Sequence, residues 1–367
     1  MRNNYLIVIG IFLLQITFVD CDRDKSIDPK EENLIGNNQM VVYPNIGNVF
    51  YLINYQTFTV ENTIKLDIPD SIGCFGMCLS TNKDFLIFAC ELLYPPFKQF
   101  IISYDIKKNT LHNISPTGLD SVGAPRITAA HLSNDPGLIY LYSHNVGLYS
   151  INFLSQEVNL ISGEHGQSLS KFFYFTFDKK TSVILKQFGS EPAYSEVEFY
   201  NTSSGLKNMQ FVLNKNNQDD IYISDLEFSE NNKEIFISIR LPKMRHIANY
   251  FGSYDLYTKE LYKSSLTLPW SINPYYLTYS SKRQEAYLVG EQDKFYIVDT
   301  STQDYQLKAV VDLTGKIPGP SRVVLDPDKN ICFVSCSSSN FILVIDLDKM
   351  NIKHRIQIDH PYLMILL

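Results

Sequence analysis

Side chains that can do chemistry are plentiful in this sequence, but few of them stand at a spacing typical of a catalytic or metal site. The 367 residues contain no Gly-x-Ser-x-Gly nucleophile elbow, no His-Glu-x-x-His zinc motif and no glycine-rich phosphate loop. The seven histidines show no zinc-ligand spacing either. From these patterns we predict no catalytic residue, no metal site and no bound cofactor.

Five side chains in polar or proline-containing segments are candidates for contacting a ligand: Arg126, His144, Arg245, His246 and Trp270. Arg245 and His246 belong to a basic segment on a chain whose formal net charge is −7. Such a segment would attract a small anionic ligand or an acidic partner, although a basic segment is also common on a solvated loop. Trp270 is suited either to stacking on a ligand or to packing inside the fold.

Two of the six cysteines, Cys74 and Cys90, stand symmetrically about Asn82. If Asn82 lies at the centre of a β-hairpin, the two cysteines face each other across neighbouring strands, and this geometry allows a disulfide. Buried free thiols are the alternative, because cysteine is among the most buried residue types. Cys332 and Cys336 share one predicted strand at a separation of about 13 Å, which is too far for a bond between them.

A repeat of 44 to 54 residues organises the chain. Each unit contains a short apolar or aromatic segment that ends in Asn or Asp, and these end residues are Asn54, Asp105, Asn152, Asn201, Asp255, Asp299 and Asp346. Their short side chains accept hydrogen bonds from backbone N–H groups two residues on and so close tight turns. In six units a second polar turn stands about 20 to 25 residues earlier, as at 80–84 and 229–233. Four antiparallel strands per unit at this spacing predict a propeller blade.

The first and last units are incomplete in a complementary way. Asn54 follows the start of the first predicted strand by only 15 residues, so the first unit lacks its opening strand. The apolar stretch Tyr362–Leu367 follows the seventh unit, and we predict that it becomes the innermost strand of the first blade, beside Met40–Tyr43. This pairing leaves no exposed sheet edge. The predicted fold is all-β: a seven-bladed β-propeller of four-stranded antiparallel blades over residues 39–367.

The units resemble those of the YVTN-type repeat propellers, a group that grades into the lactonase-like and quinoprotein-like propellers. The resemblance is clearest where Asp326–Lys329 leads into Ile331–Val334 and Val344–Asp346 leads into Ile352–Ile358. It extends over the whole predicted propeller, but no unit carries the literal Tyr-Val-Thr-Asn tetrapeptide. The resemblance implies a site in a central funnel, formed by loops that lead into the inner strands or join the second and third strands. The five candidate ligand-binding residues fall in such loops.

The N-terminus has the features of an export signal. Arg2 precedes an uncharged stretch of 14 residues, Leu6–Val19, whereas a membrane-spanning helix needs about 20. We therefore predict a signal peptide at 1–21. The residues before Cys21 resemble a bacterial lipoprotein box, except that an aspartate replaces the usual small residue, so lipidation of Cys21, ordinary secretion and an uncleaved anchor all stay open. The polar residues 22–38 are expected to form a flexible tether.

Composition narrows the function. The acidic net charge argues against nucleic acid as a partner, because binding polyphosphate needs a basic surface. We expect an exported monomer, either a periplasmic or cell-surface lipoprotein or a secreted protein, whose only membrane contact is an N-terminal lipid. Its expected role is that of a non-catalytic binding or scaffold module for a protein or a small anionic ligand. The alternatives are a lactonase-like hydrolase that uses the central funnel and a dehydrogenase-like quinoprotein.

Overall fold

The structure is a computed structural model of the chain. It describes residues 38–44, 46–66, 68–80, 83–92, 99–113, 127–132, 138–143, 147–152, 155, 157–163, 170–175, 181–188, 194–201, 206–213, 222–229, 233–240, 249–268, 276–290, 294–302, 304–313 and 320–367. In these residues, 28 β-strands pair into seven four-stranded antiparallel sheets. The predicted seven-bladed β-propeller is confirmed.

Each sheet is one blade, and its strands follow one another along the chain in every blade except the first. Blade 1 contains β1 (Gln39–Pro44), β2 (Val49–Asn54) and β3 (Thr59–Lys65), together with β28 (Pro361–Leu366) from the far end of the chain. Blade 2 contains β4 (Ile72–Leu79), β5 (Phe85–Leu92), β6 (Gln99–Asp105) and β7 (Thr110–Asn113). Blade 3 contains β8 (Ile127–Leu132), β9 (Leu138–Ser143), β10 (Gly147–Asn152) and β11 (Glu157–Gly163).

The remaining four blades follow the same order. Blade 4 contains β12 (Ser170–Phe175), β13 (Thr181–Phe188), β14 (Tyr194–Asn201) and β15 (Lys207–Leu213). Blade 5 contains β16 (Tyr222–Phe228), β17 (Glu234–Arg240), β18 (Asn249–Asp255) and β19 (Leu261–Leu268). Blade 6 contains β20 (Tyr276–Ser280), β21 (Glu285–Gly290), β22 (Lys294–Asp299) and β23 (Gln306–Asp312). Blade 7 contains β24 (Pro320–Asp326), β25 (Ile331–Cys336), β26 (Phe341–Asp346) and β27 (Asn351–Gln357), with a 3-10 turn at Ser337–Ser339.

The C-terminal strand closes the ring. Strand β28 pairs with β1, with Met40 opposite Leu366 and Tyr43 opposite Leu363. It also contacts the inner strands of both neighbouring blades, β4 and β24. The predicted pairing of Tyr362–Leu367 with Met40–Tyr43 is therefore confirmed, and blade 1 combines both ends of the propeller.

In the part of the chain that the structure describes, six of the seven repeated Asn and Asp residues close the hairpins between the third and fourth strands, as predicted. The Asn54 side-chain oxygen accepts from the N–H of Gln56 at 2.9 Å, and Asp255 accepts from that of Tyr257 at 2.7 Å. Asp105, Asn152, Asp299 and Asp346 make the same kind of bond. In four of these hairpins the residue four positions on has a left-handed backbone, with φ between 52° and 62°: Phe58, Asn109, Lys259 and Met350.

The hydrophobic core lies between the blades. All six residues of β25 are buried, because side chains of a middle strand point alternately to the two neighbouring blades. Cys332 and Val334 pack towards blade 6, whereas Ile331 and Phe333 pack towards blade 1. In the described residues, six of the seven seams between blades are apolar layers of this kind, which hold the inner strands in position.

Residues 1–37 lie outside the described residues, so the signal peptide, the lipid at Cys21 and the tether stay predictions. Among the residues that the structure does describe, none belongs to a helix long and apolar enough to span a bilayer.

Candidate functional site

Four consecutive blades bring polar and aromatic side chains together on their inner strands. Asp225 lies on β16, Tyr276 on β20, Arg322 on β24 and Tyr362 on β28. Tyr276, Tyr362 and Arg322 are the first, second and third residues of their strands. They therefore lie near the end of the ring at which the inner strands begin, which we call the upper face. These four residues, named the inner-strand cluster, form the candidate site.

Arg322 interacts with two tyrosine rings. Its guanidinium carbon lies 4.9 Å from the centre of the Tyr276 ring and 5.7 Å from that of the Tyr362 ring. Both distances are in the range of cation–π attraction, which extends to about 6 Å. The β24–β25 ladder shifts register between Pro320 and Arg322, and a bulge of this kind re-aims the side chains next to it. The shift thus contributes to placing the guanidinium against both rings.

Asp225 connects blade 5 to blade 6. Its carboxylate accepts hydrogen bonds from the N–H of Leu277 at 2.8 Å and from the N–H of Leu226 at 3.0 Å. Burial raises the pKa of the neighbouring Tyr276; Tyr362 and Asp225 act in the same direction, and Arg322 opposes them. Tyr276 therefore stays a neutral hydrogen-bonding group beside a positive and a negative charge.

Glu227, two residues beyond Asp225 on the same inner strand, carries an unusual carboxyl group. Burial and, to a smaller degree, the charge of Asp225 raise the pKa of Glu227 to about 8, although the Phe228 N–H donates to it at 3.2 Å. The side chain is nevertheless partly exposed. At neutral pH this carboxyl is mostly protonated, so it is able to donate a hydrogen bond or a proton.

The five residues predicted from sequence to contact a ligand, Arg126, His144, Arg245, His246 and Trp270, lie outside the described residues. The strand ends on either side of each one are described. These residues belong to the connections β7–β8, β9–β10, β17–β18 and β19–β20. Because successive strands of a blade alternate in direction, all four connections start and end at the upper face. The described strand ends that flank these four connections thus lie at the same face as the inner-strand cluster.

Cys74 and Cys90 are paired directly across β4 and β5, as the symmetry about Asn82 predicts. Both are buried free thiols in the structure. The register is confirmed, and the disulfide itself stays a prediction. Across the described residues, no three His, Cys, Asp or Glu side chains group in a way that could hold a metal ion.

Sequence reasoning missed the inner-strand cluster because its members are far apart in the chain. Tyr276, Arg322 and Tyr362 each occupy one of the first three positions of an inner strand, and they recur at roughly the interval of the repeat. An alignment of the repeat units on the first residue of each inner strand would have placed Tyr276, Arg322 and Tyr362 at neighbouring positions around the ring. Only closure by the C-terminal strand brings Tyr362 beside Arg322.

Comparison with known proteins finds matches at the level of the fold. No family model and no curated protein sequence matches the chain. Among solved structures, hydrazine synthase of Kuenenia stuttgartiensis matches with a TM-score of 0.65 and 17% identity, over 84% of this chain and 92% of that one. A candidate 6-phosphogluconolactonase of Bacteroides fragilis matches with a TM-score of 0.60 and 12% identity, over 90% and 98%.

A third solved structure is the dihydro-heme d1 dehydrogenase NirN in complex with DHE. It matches with a TM-score of 0.54 and 10% identity, over 90% of this chain and 75% of that one. The likeness is one of fold. At these identities the three proteins share an architecture with this chain, and function has to be argued from its own residues.

Proposed function

We propose that the protein is an exported or surface-anchored β-propeller that acts as a non-catalytic binding module and takes a small anionic ligand at the upper face of its ring. The observation that carries the proposal is Arg322, whose guanidinium lies within cation–π distance of the Tyr276 and Tyr362 rings on adjoining inner strands. We further propose that it belongs among the YVTN-type propellers. Export rests on the N-terminal sequence, with either a lipid on Cys21 or plain secretion.

The geometry of Arg322 suits an anion. A guanidinium that lies over aromatic faces directs its N–H groups along its own plane, and this fork matches the two oxygens of a carboxylate or phosphate. Two aromatic rings beside it add a surface for an apolar or planar part of the ligand. In the sequence, the basic segment with Arg245 and His246 connects β17 to β18, and we propose that it adds to the attraction for negative charge.

The test is a calorimetric titration with two probes, inorganic phosphate and glucose 6-phosphate. We expect wild type to bind at least one probe and Arg322→Gln to bind it at least tenfold more weakly, because a hydrogen bond to a charged group contributes about 1.5–3 kcal/mol. Arg355→Gln is the matched control, since Arg355 lies on the outer strand β27 with its guanidinium over Phe341 at 5.4 Å. We expect it to leave affinity within twofold of wild type. Equal weakening by both substitutions, or no binding of either probe to wild type, would refute the proposal.

A lactonase-like hydrolase is the second candidate, and Glu227 is the observation that favours it. A carboxyl whose pKa is about 8 is protonated at neutral pH and suited to general acid catalysis. A lactonase assay on a phosphorylated gluconolactone, with and without divalent metal, separates the candidates. Turnover that disappears in Glu227→Gln would replace the binding proposal with the hydrolase, and absence of turnover under both conditions would exclude the hydrolase for that substrate.

A further inference from the structure

Cys74 and Cys90 are placed where a disulfide requires little movement. They are direct partners in the antiparallel pair β4–β5, for which Cα atoms lie about 4.5 or 5.5 Å apart. Both values fall inside the disulfide range of about 4.4–6.8 Å. The Cβ atoms of such pairs lie about 4.5–5.5 Å apart, up to about 1 Å more than a disulfide prefers.

The backbone next to the pair can supply this small adjustment. The β4–β5 ladder shifts register immediately after Cys74, because Phe75 is an extra residue before Gly76. A bulge locally disrupts the ladder and bends its strand, so Cys74 is less constrained than a residue in a regular ladder. The Cys74 thiol donates to the carbonyl of Gly76 at 3.2 Å, on the far side of this extra residue.

The pair lies in the seam between blades 1 and 2. Cys74, Cys90 and Tyr43 belong to one buried cluster, and each of the three is at most 1% exposed. The Tyr43 hydroxyl donates to the carbonyl of Gly47 at 2.5 Å. Tyr43 itself pairs with the closing strand through Leu363. A bond between the two sulfurs would therefore fasten the inner strand of blade 2 next to the point where the ring closes.

We propose that Cys74 and Cys90 form a structural disulfide by exchange with an external disulfide, either a small-molecule one or that of a thiol oxidoreductase. One cysteine thiolate attacks a sulfur of the external disulfide, forms a mixed disulfide and releases one thiolate. The second cysteine then attacks the mixed disulfide and releases the other thiolate. Both protons leave the cysteines and end on the released thiols, so one external disulfide is reduced for each protein disulfide that forms.

The exchange has to occur while the chain folds. Burial raises the pKa of Cys90 well above its usual value, and the thiolate is the form that attacks. In the folded protein Cys90 is held as the thiol, and both cysteines are buried against blade 1. Once formed, the same burial protects the bond from reductants.

The other described cysteines provide internal controls. Cys78 lies opposite Ile87 on β5, Cys332 lies between Leu325 and Ile345, and Cys336 pairs with Pro320 and Phe341. In the ladder of the described strands, the residue opposite each of these three is not a cysteine. We expect all three to stay reduced under conditions that oxidise Cys74 and Cys90.

The experiment is to refold the full chain from urea with oxidised glutathione, alkylate the remaining thiols, digest with trypsin without reduction and map the peptides by mass spectrometry. Cleavage after Lys83 separates the two cysteines, and we expect peptide 66–83 linked to peptide 84–98 in more than half of the molecules. Because Cys78 shares the first peptide, three variants assign the bond. The link should persist in Cys78→Ser and disappear in Cys74→Ser and Cys90→Ser.

A second measurement tests the disulfide independently of the fraction of molecules in which the linked peptides are recovered. Dithiothreitol should lower the urea midpoint of refolded wild type and of Cys78→Ser, and leave that of Cys90→Ser unchanged. The proposal is overturned if all thiols of oxidatively refolded wild type react with the alkylating agent. A link that persists in Cys74→Ser would overturn it as well.

Discussion

Shortening Leu363 to alanine tests whether the closing strand holds the ring together. Leu363 lies on β28 opposite Tyr43, is 8% exposed and packs in the cluster that joins blades 1 and 2. Replacing a buried leucine by alanine costs about 2–5 kcal/mol, because apolar contact is lost and a cavity remains. We therefore expect the free energy of unfolding to fall by about 3 kcal/mol.

The assay is urea unfolding followed by tyrosine fluorescence and far-UV circular dichroism. At a slope of about 3 kcal/mol per M, a loss of about 3 kcal/mol lowers the midpoint by about 1 M. Leu307→Ala removes the same atoms from a residue on the fourth strand of blade 6 that is 42% exposed, and it should cost less than about 1 kcal/mol. If both substitutions lower the midpoint by the same small amount, β28 does not carry the closure and the reasoning fails.

Two further substitutions test the hairpins and a buried ion pair. Glu285→Gln should lower stability by about 2 kcal/mol at pH 7 and by little at pH 3, as measured by urea unfolding at both pH values. Burial alone would raise the pKa of Glu285, but hydrogen bonds from Arg283, Lys308 and Tyr287 lower it. The stabilisation from these bonds is therefore present above the unfolded pKa of about 4.3 and is lost as the pH falls through the folded-state pKa. A loss of stability that is the same at both pH values would contradict this. Lys259→Gly should raise the thermal midpoint and increase the free energy of unfolding by up to about 1 kcal/mol. The reason is that Lys259 has a left-handed backbone, with φ 62°, which is costly for a residue with a Cβ atom. A fall in the midpoint would contradict this prediction.

Much of the propeller was predictable because its signals are local and repeated. An aspartate or asparagine that ends an apolar segment closes a hairpin through bonds to the next few backbone N–H groups, as Asp255 does. Seven such positions, spaced by one blade, predicted the number of sheets. The closing strand was predictable for a different reason, since a first unit without an opening strand and a last unit with a surplus apolar stretch complement each other.

The Cys74–Cys90 register shows how a correct prediction can depend on an unseen feature. Near the turn, Cys78 pairs with Ile87 and Met77 with Phe88, so the hairpin is centred between Asn82 and Lys83. The extra residue Phe75 shifts the ladder and brings the centre of symmetry at the cysteines to Asn82. A bulge has no dependable sequence signal, so the sequence could not have predicted this shift.

The inner-strand cluster was not predictable from residue spacing, because what makes it a site is the order of blades around a ring. Arg322 is an ordinary strand residue until Tyr276 from the preceding blade and Tyr362 from the following one lie beside it. Tyr362 reaches this place only because the C-terminal strand belongs to blade 1. The closing strand thus has two consequences: it completes the sheet that begins at Gln39, and it supplies one wall of the proposed anion site. A ligand held by Arg322 and both tyrosines would bind the closed ring in preference to the open chain. By mass action such a ligand would stabilise the closed ring, by about 2.7 kcal/mol at a concentration one hundred times its dissociation constant.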